Sequence, residues 1–292
     1  MSAAPVPAAT SRSSPADLVS TPVDGVEVVA SLSPSRASDF MTCPLRYRFR
    51  TVDGLPQEPT REAVRGTLVH KVLERLFDLP ALDRTPVQAA KLLEPAWREV
   101  LAVEPGLSGL FDSAVGAHDF HAWLATCASV LEGYFELEDP QRLEPAEREY
   151  YVETRLDSGL LLRGFVDRLD VAPDGAIRVV DYKTGRSPSP MHEAAALFQM
   201  RFYALVIWRT RGVLPAMLQL VYLGDREVLR HCPDEAELLA TERKVEALWR
   251  AIRLAEESGE WQPSPGRLCS WCSYQDLCPA FGGTPPAPTA PA

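Results

Sequence analysis

The spacing of apolar residues along the chain predicts an alternation of helices and short strands. Apolar residues recur at helical intervals over about 62–77 and 120–137, and Ser33 followed by Pro34 marks the start of an earlier helix that should stop near Cys43. Further helices are expected at about 191–209 and 234–257, and strands at about 148–156, 160–171, 176–183, 216–223 and 226–231. Helices that flank a central mixed sheet make an α/β fold.

The two ends of the chain differ in composition from its middle. Residues 1–28 and 281–292 are rich in small residues and proline without any period, which predicts disordered tails. Between them, residues 29–280 are expected to form one domain with a helical insertion at about 80–145. No stretch is apolar enough to span a bilayer and the first ten residues do not resemble a signal peptide, so we expect a cytoplasmic protein without a membrane partner.

The net charge of −10 argues against a protein that coats nucleic acid by charge alone. It still allows an enzyme that binds nucleic acid along a local basic track. Six arginines fall early in the chain, and by charge alone they are interpreted as ordinary surface charge: Arg36, Arg46, Arg48, Arg50, Arg61 and Arg65.

Two acidic strands around a tight turn carry the strongest candidate chemistry. The stretches GFVDRLD (164–170) and VVDYKTG (179–185) flank a Pro-Asp-Gly loop at 173–175, so Asp167 should lie opposite Asp181, on one face with Lys183. Opposed carboxylates destabilise a sheet, and a divalent cation would remove the conflict. A buried salt bridge between Lys183 and one aspartate explains the pattern about equally well. Asp170 faces the other way opposite Arg178, and we interpret it as structural.

Three further polar residues become meaningful only together with this hairpin. His70 points away from the apolar stripe of its predicted helix, and Gly66 one turn earlier allows another element to approach it. Gln199 and Tyr203 are four residues apart and share a helix face that could contact phosphate or bases. Taken singly, a surface histidine and a boundary Gln–Tyr pair are the simpler interpretations.

The six cysteines are unevenly distributed, and four of them suggest a metal centre. Cys269, Cys272 and Cys278 are compact, and Cys43 supplies a distant fourth thiolate. This spacing fits an iron–sulfur cluster at least as well as structural zinc, which more often uses two paired knuckles. Such a centre would staple the two ends of the domain together. Two other cysteines are interpreted as a core residue and an incidental one, Cys127 and Cys232 respectively.

Taken in order, these elements resemble the PD-(D/E)XK nuclease superfamily, and within it the RecB-type exonucleases of the iron–sulfur, AddB-like branch. The resemblance runs from about 31 to 280 and rests on Cys43-Pro44, Gly66-Thr67-x2-His70, the two acidic stretches, Gln199-x3-Tyr203 and the last three cysteines. It implies a restriction-endonuclease-like core with a terminal cluster segment at 261–280 that works with Cys43.

The resemblance also implies roles. It makes His70, Asp167, Asp181 and the backbone carbonyl of Tyr182 ligands of Mg²⁺ or Mn²⁺. Lys183 would activate or position the attacking water, with Asp167 and Asp181 as its catalytic partners, and Gln199 and Tyr203 would support the site and contact DNA. A [4Fe–4S] cluster would be held by Cys43, Cys269, Cys272 and Cys278, with Zn²⁺ as the alternative.

The expected function is therefore metal-dependent DNA hydrolysis, with an exonuclease acting on single-stranded or unwound DNA ends in repair or recombination. The alternatives are a non-catalytic, iron–sulfur- or zinc-stapled DNA-binding subunit of a helicase–nuclease complex and a zinc scaffold without nuclease work. The chain has no Gly-x4-Gly-Lys-Ser/Thr phosphate loop, so any helicase would be a separate partner.

Overall fold

The computed structural model describes residues 31–111, 116–189 and 193–287. Seven α-helices run through these ranges: α1 (Pro34–Thr42), α2 (Pro44–Tyr47), α3 (Arg61–Leu76), α4 (Pro86–Val103), α5 (Gly116–Leu137), α6 (Glu193–Arg211) and α7 (Glu235–Ser258). Six strands accompany them: β1 (Ser31–Leu32), β2 (Glu147–Arg155), β3 (Leu161–Val171), β4 (Ile177–Lys183), β5 (Met217–Tyr222) and β6 (Glu227–His231). The bounds of the predicted strands agree with the structure to within about a residue.

The strands form one mixed sheet in the order β1-β3-β4-β5-β6, and β2 pairs with the other edge of β3. The β4–β5 pair is parallel, while β3–β4, β5–β6 and β2–β3 are antiparallel. On its first edge, β3 pairs with β1 near its start and with β4 near its end. The middle of that edge, around residues 163–167, therefore lies open between two partner strands.

Helices cover both faces of the sheet, as the α/β pattern predicts. On one face Ile177 and Val179 of β4 pack into a core shared with α6 and α7. On the other face Val180 and Tyr182 pack against α3, α4 and α5. Because β4 is buried on both faces, its position is well fixed. The residues at its C-terminal end, Asp181 to Lys183, are therefore held in place by the strand.

Local sequence explains where the helices begin. Ser33 caps α1 by accepting a hydrogen bond from Arg36 N, and Pro34 occupies the first turn, as predicted. Thr60 caps α3 in the same way through Ala63 N. Helix α4 lies within the helical insertion predicted at about 80–145, but its bounds were not predicted, because it contains Pro95, a residue that normally ends a helix.

The C-terminal segment packs on the N-terminal helices. Trp261 stacks on Tyr47 with ring centroids 5.8 Å apart, and the buried Tyr274 donates a hydrogen bond to Leu55 O at 3.1 Å. The predicted tail 1–28 lies outside the described residues. The other predicted tail is described as far as residue 287, and Arg48 donates to Pro286 O at 2.6 Å, so packed chain extends past the expected boundary at 280.

Within the described residues, no helix combines the length and the apolarity that crossing a membrane requires.

Candidate active site

The register of the acidic hairpin places Asp167 where the sheet opens. Asp170 pairs with Arg178 as predicted, and the β3–β4 ladder ends at the pair of Arg168 with Val180. Beyond this pair there is no backbone pairing between β3 and β4. Instead, the Asp167 carboxylate accepts a hydrogen bond from Tyr182 N at 2.7 Å. The side chain therefore replaces a strand partner and is held at the end of β4.

His70 reaches the same point from α3. Its Nε2 lies 2.9 Å from the carbonyl oxygen of Tyr182, and its Nδ1 lies 3.4 Å from Asp167 Oδ2. Helix α3 passes close to Thr184 at Gly66, but a Cβ there would lie 3.5 Å from Thr184 Oγ1, an ordinary van der Waals contact, so the approach does not require glycine. Three of the four predicted metal ligands thus meet: the His70 ring, the Asp167 carboxylate and the Tyr182 carbonyl.

Asp181 is held in a separate hydrogen-bonded group beside them. Its Oδ2 lies 2.6 Å from Lys183 Nζ, and its Oδ1 accepts from Gln199 Nε2 at 2.9 Å. Lys183 Nζ also donates to Gln199 Oε1 at 3.0 Å, so Gln199 joins the acid to the base. The salt bridge between Lys183 and an aspartate, which was one of the two interpretations of the sequence, is therefore present, and it lies within the candidate site.

Tyr203 completes the support of this group from α6. Gln199 Nε2 lies 3.4 Å from Tyr203 Oη, and the tyrosine ring packs on the backbone of β3. A Cβ at Gly164 would lie 2.7 Å from Tyr203 Cε1, so only glycine permits this approach. The predicted Gln–Tyr pair therefore bridges the hairpin and α6.

The charges at the site are in conflict. Burial and the neighbouring charge of Asp167 raise the pKa of Asp181 to about 6. Burial also disfavours the charged form of Asp167, but the His70 ring outweighs it, and the pKa of Asp167 is lowered. Burial likewise lowers the pKa of His70, yet Asp167 raises it to about 9 overall. The two carboxylates of Asp167 and Asp181 therefore repel each other, while the positive charges of His70 and Lys183 only partly offset this repulsion.

Glu149 of β2 is a site residue that sequence reasoning missed. One of its carboxylate oxygens forms a group with His70 and Asp167 in which all three ligand atoms lie within 4.8 Å of one another. Its backbone is left-handed at φ 43°, an uncommon state for a glutamate within a strand. The β2–β3 register runs through Arg148–Arg168 and Tyr150–Val166 and skips the pair between them. The register predicted from the sequence covers only the hairpin at 164–185, so nothing in it brought Glu149 next to Asp167.

The donor set fits a divalent cation. Carboxylate and carbonyl oxygens suit Mg²⁺ and Mn²⁺, and an imidazole nitrogen inclines the set towards the transition metal. Burial, followed by the Asp167 charge, raises the pKa of Glu149 to about 7, so the acids gain from a shared positive charge. Asp181 lies outside the group of atoms within 4.8 Å, and Glu149 lies inside it.

The neighbouring face of the same hairpin carries a charge network that is balanced. Arg168 is fully buried and donates to both carboxylate oxygens of Glu138, at 2.7 and 2.9 Å, and to Asp170 at 3.2 Å. Arg178 binds Asp170 at 2.8 Å, which confirms the predicted pair. Gln219 adds a hydrogen bond to Glu138 at 2.8 Å. Sequence reasoning found the Asp170–Arg178 pair but not the Arg168–Glu138 centre, whose partners are 30 residues apart in the chain.

The four cysteines lie where the two ends of the domain meet. Cys43, between α1 and α2, accepts a weak contact from Ser264 N at 3.4 Å, and Cys269 accepts one from Gly266 N at 3.3 Å. All four predicted ligand cysteines are half-buried, Cys127 is buried in the core as predicted, and Cys232 is exposed. Among the described residues, no three cysteine sulfurs converge within 4.8 Å of one another.

The six-stranded mixed sheet with helices on both faces, carrying its acidic residues and lysine where β3 and β4 part, is a restriction-endonuclease-like fold. Residues 31–279 match the PD-(D/E)XK nuclease superfamily, and the chain belongs to that superfamily. The match spans nearly all of the described residues.

Individual relatives agree with this assignment. The chain is 25% identical over 279 residues to the gene 69 protein of Mycobacterium phage D29, covering 85% of this chain and 96% of the phage protein. It is 28% identical over 159 residues to one subunit of the ATP-dependent helicase/deoxyribonuclease of Streptococcus equi subsp. zooepidemicus. That match covers 53% of the chain and only 14% of the streptococcal protein.

A solved structure shares the fold. The crystal structure of a candidate exonuclease from Eubacterium rectale superposes with a TM-score of 0.55 at 12% identity, covering 84% of this chain and 88% of that one. At this identity the likeness concerns the fold alone.

Proposed function

We propose that the protein is a metal-dependent DNA nuclease, an exonuclease that hydrolyses phosphodiester bonds in single-stranded or unwound DNA during repair or recombination. Membership of the PD-(D/E)XK nuclease superfamily supports the reaction class. The observation that carries the proposal is the meeting of His70, Asp167 and the Tyr182 carbonyl beside the Asp181–Lys183 pair.

In this proposal His70, Asp167, Asp181 and the Tyr182 carbonyl hold Mg²⁺ or Mn²⁺, and Glu149 is close enough to assist. The cation supplies positive charge that stabilises the phosphate as negative charge develops on it. Asp167 is already held beside His70 by its hydrogen bond from the backbone of β4, whereas Asp181, which is bound to Gln199, would have to move towards them to share the cation.

Lys183 is proposed to position the attacking water and to accept or donate its proton. Its side chain is about one third exposed, so Nζ can reach a solvent molecule while Asp181 and Gln199 fix its direction. Gln199 and Tyr203 are proposed to hold this geometry and to contact the DNA backbone next to the scissile bond.

The test is digestion of an end-labelled single-stranded oligonucleotide with Mg²⁺ or Mn²⁺. Lys183→Ala should lower the rate by about 10²- to 10⁴-fold, the range for loss of a positioned proton-transfer group. Lys91→Ala is the matched control, because Lys91 is an exposed residue of α4. A wild-type protein that leaves linear DNA intact, or a Lys183→Ala variant as active as wild type, would overturn the proposal.

The same assay separates the narrower assignments. An exonuclease spares circular single-stranded DNA, so cutting of circles as fast as linear strands would make the enzyme an endonuclease. A non-catalytic DNA-binding subunit would bind DNA equally well with and without Lys183 and would cut neither form.

We further propose that Cys43, Cys269, Cys272 and Cys278 hold a [4Fe–4S] cluster. The backbone N–H groups that face two of the sulfurs suit thiolates in such a cluster.

Anaerobically purified protein should be brown, and Cys43→Ala should lose both the visible absorbance and several degrees of melting temperature. Colourless wild-type protein that contains zinc would favour the zinc alternative, and colourless metal-free protein with an unchanged melting temperature would remove the staple altogether.

A separate helicase is the proposed partner. The streptococcal relative is named as part of an ATP-dependent helicase/deoxyribonuclease, and this chain corresponds to a small portion of that relative. Unwinding by such a partner would deliver the single strand that the proposed reaction consumes.

A further inference from the structure

A groove of about 550 Å³ opens beside the candidate site, between the start of α1 and the β2–β3 hairpin. We call it the α1 groove; its lining includes Arg36, Tyr151, Arg163, Gly164, Phe165 and Tyr203. Gln199 also lines it, so one end of the groove meets the residues that hold Asp181 and Lys183.

Two positive charges in the groove lack acidic partners. Within the described parts of the chain, neither Arg36 nor Arg163 forms an ion pair, whereas nearby Arg46 and Arg50 both bind Asp39. Among the described residues, the Arg36 side chain has only Ser31 as a hydrogen-bond partner, at 3.4 and 3.5 Å. Burial and the positive charge of Arg163 lower the pKa of Arg36, so the two guanidinium groups repel each other. An anion between them would relieve this repulsion.

The acidic residue opposite Arg163 on β2 is hydrogen-bonded to a different side chain. Glu153 is its cross-strand neighbour, but the Glu153 carboxylate accepts a hydrogen bond from Tyr151 Oη at 2.7 Å. Among the described residues Glu153 and Arg163 form no ion pair, and the Tyr151 hydroxyl also interacts with Arg163, so a phosphate would supply the anionic partner that Arg163 lacks.

An exposed aromatic pair lies between the arginines and the site. Tyr151 and Phe165 are opposite one another on β2 and β3, with ring centroids 5.2 Å apart, and Phe165 is 40% exposed. An aromatic ring left open to solvent next to basic residues is the combination that proteins use to stack unpaired bases and hold their phosphates.

The strand geometry aligns these groups with the candidate site. Arg163 and Phe165 alternate along β3 and share one face, and Asp167 follows two residues later, where the β2–β3 register skips a pair. At about 3.3 Å per residue, Arg163 lies roughly 13 Å from Asp167 along the strand. A chain that enters at Arg163 and passes Phe165 would therefore arrive at Asp167.

We infer that the α1 groove binds single-stranded DNA and leads it to the candidate site, with Arg36 and Arg163 on its phosphates and Phe165 and Tyr151 against its bases. This inference rests on the proposed function, because it takes the nuclease substrate as the occupant. It adds the path that the substrate takes to the candidate site. It also explains a preference for single-stranded DNA, because bases in a duplex are stacked on each other and cannot stack on Phe165.

The test is fluorescence anisotropy of a labelled twelve-residue oligothymidylate in EDTA, so that no hydrolysis occurs. Arg163→Ala should weaken binding about fivefold at 0.1 M salt and reduce the slope of log affinity against log salt by about 0.7, the loss of one phosphate contact. Phe165→Ala should weaken binding about fivefold or more without changing that slope.

Controls separate charge from folding. Arg163→Lys should restore the salt slope, and Arg250→Ala, an exposed arginine of α7, should bind like wild type. A blunt duplex of the same length should bind more weakly than the single strand and should not respond to Phe165→Ala.

The inference is overturned if Arg163→Ala and Phe165→Ala bind the single strand like wild type, if wild type does not bind it, or if duplex binding responds equally to Phe165→Ala. Hydrolysis of bis(p-nitrophenyl) phosphate by wild type with Mn²⁺ tests the proposed function separately. Groove-dependent DNA binding without any hydrolysis would refute the nuclease activity and leave the groove assignment standing.

Discussion

Asp167 and Arg168 are consecutive residues of β3, yet their side chains lie in opposite electrostatic environments. Around Arg168 the charges are matched: Glu138 and Asp170 form ion pairs with it, Arg178 forms a second ion pair with Asp170, and Gln219 donates a hydrogen bond to Glu138. Burial opposes ionisation of Glu138, but Arg168 outweighs it and lowers the pKa of that carboxyl. This side of the hairpin is complete without any ligand.

Around Asp167 the charges are unmatched. Burial and Asp167 together raise the pKa of Asp181, and Glu149 experiences the same repulsion. The two sides use the same residue types, so composition does not distinguish them. The difference is that one set of acids has enough donors and the other is short of positive charge, which is the condition for binding a cation.

The largest expected difference between the two sides of the hairpin is in stability, and it should appear when the Arg168 network is disrupted. Arg168→Ala should lower the free energy of unfolding by about 3–5 kcal/mol, because it leaves the buried carboxylate of Glu138 without its cationic partner. Urea denaturation measures the change, and Glu138→Gln is the milder variant if Arg168→Ala does not fold. Asp181→Asn, on the unmatched side, should leave stability unchanged or raise it. Equal losses in Arg168→Ala and Asp181→Asn would break the comparison.

A smaller effect concerns the cation itself. Mn²⁺ at a hundred times its dissociation constant should add about 2.7 kcal/mol to the free energy of unfolding of the wild type. Glu149→Gln should weaken Mn²⁺ binding about tenfold, the effect of removing a group that supports a metal site, and so remove about 1.4 kcal/mol of that gain.

Thermal unfolding at fixed Mn²⁺, together with calorimetric titration, measures both quantities. Glu147→Gln, two residues earlier in β2, is the matched control. If Glu149→Gln and Glu147→Gln respond alike, Glu149 has no part in the cation site.

The elements of the fold were predictable because their signals are local. Apolar periodicity, the Ser33 cap and the Pro-Asp-Gly loop each depend on a few neighbouring residues, and they gave the strands, most helices and the hairpin register. The bounds of α4, inside the predicted helical insertion, were not predicted because Pro95 normally ends a helix.

The candidate site was predictable only in part. Asp167, Asp181 and Lys183 belong to one hairpin, so strand alternation places them, whereas the resemblance was needed to select His70 and Gln199. Glu149 and the Arg168–Glu138 centre were missed because strand order and helix docking bring them in from distant parts of the chain. A left-handed backbone at Glu149 has no signature in its sequence neighbourhood.

Helix α1 has only nine residues, about 13 Å of length, and its two ends are committed to different tasks. Arg36 in its first turn lines the α1 groove, and Cys43, which follows its last turn, contacts the loop at Ser264. A rigid helix fixes the distance between its two ends. The position of Arg36 in the α1 groove therefore depends on how Cys43 packs against the C-terminal segment near Ser264, more than 220 residues further along the chain.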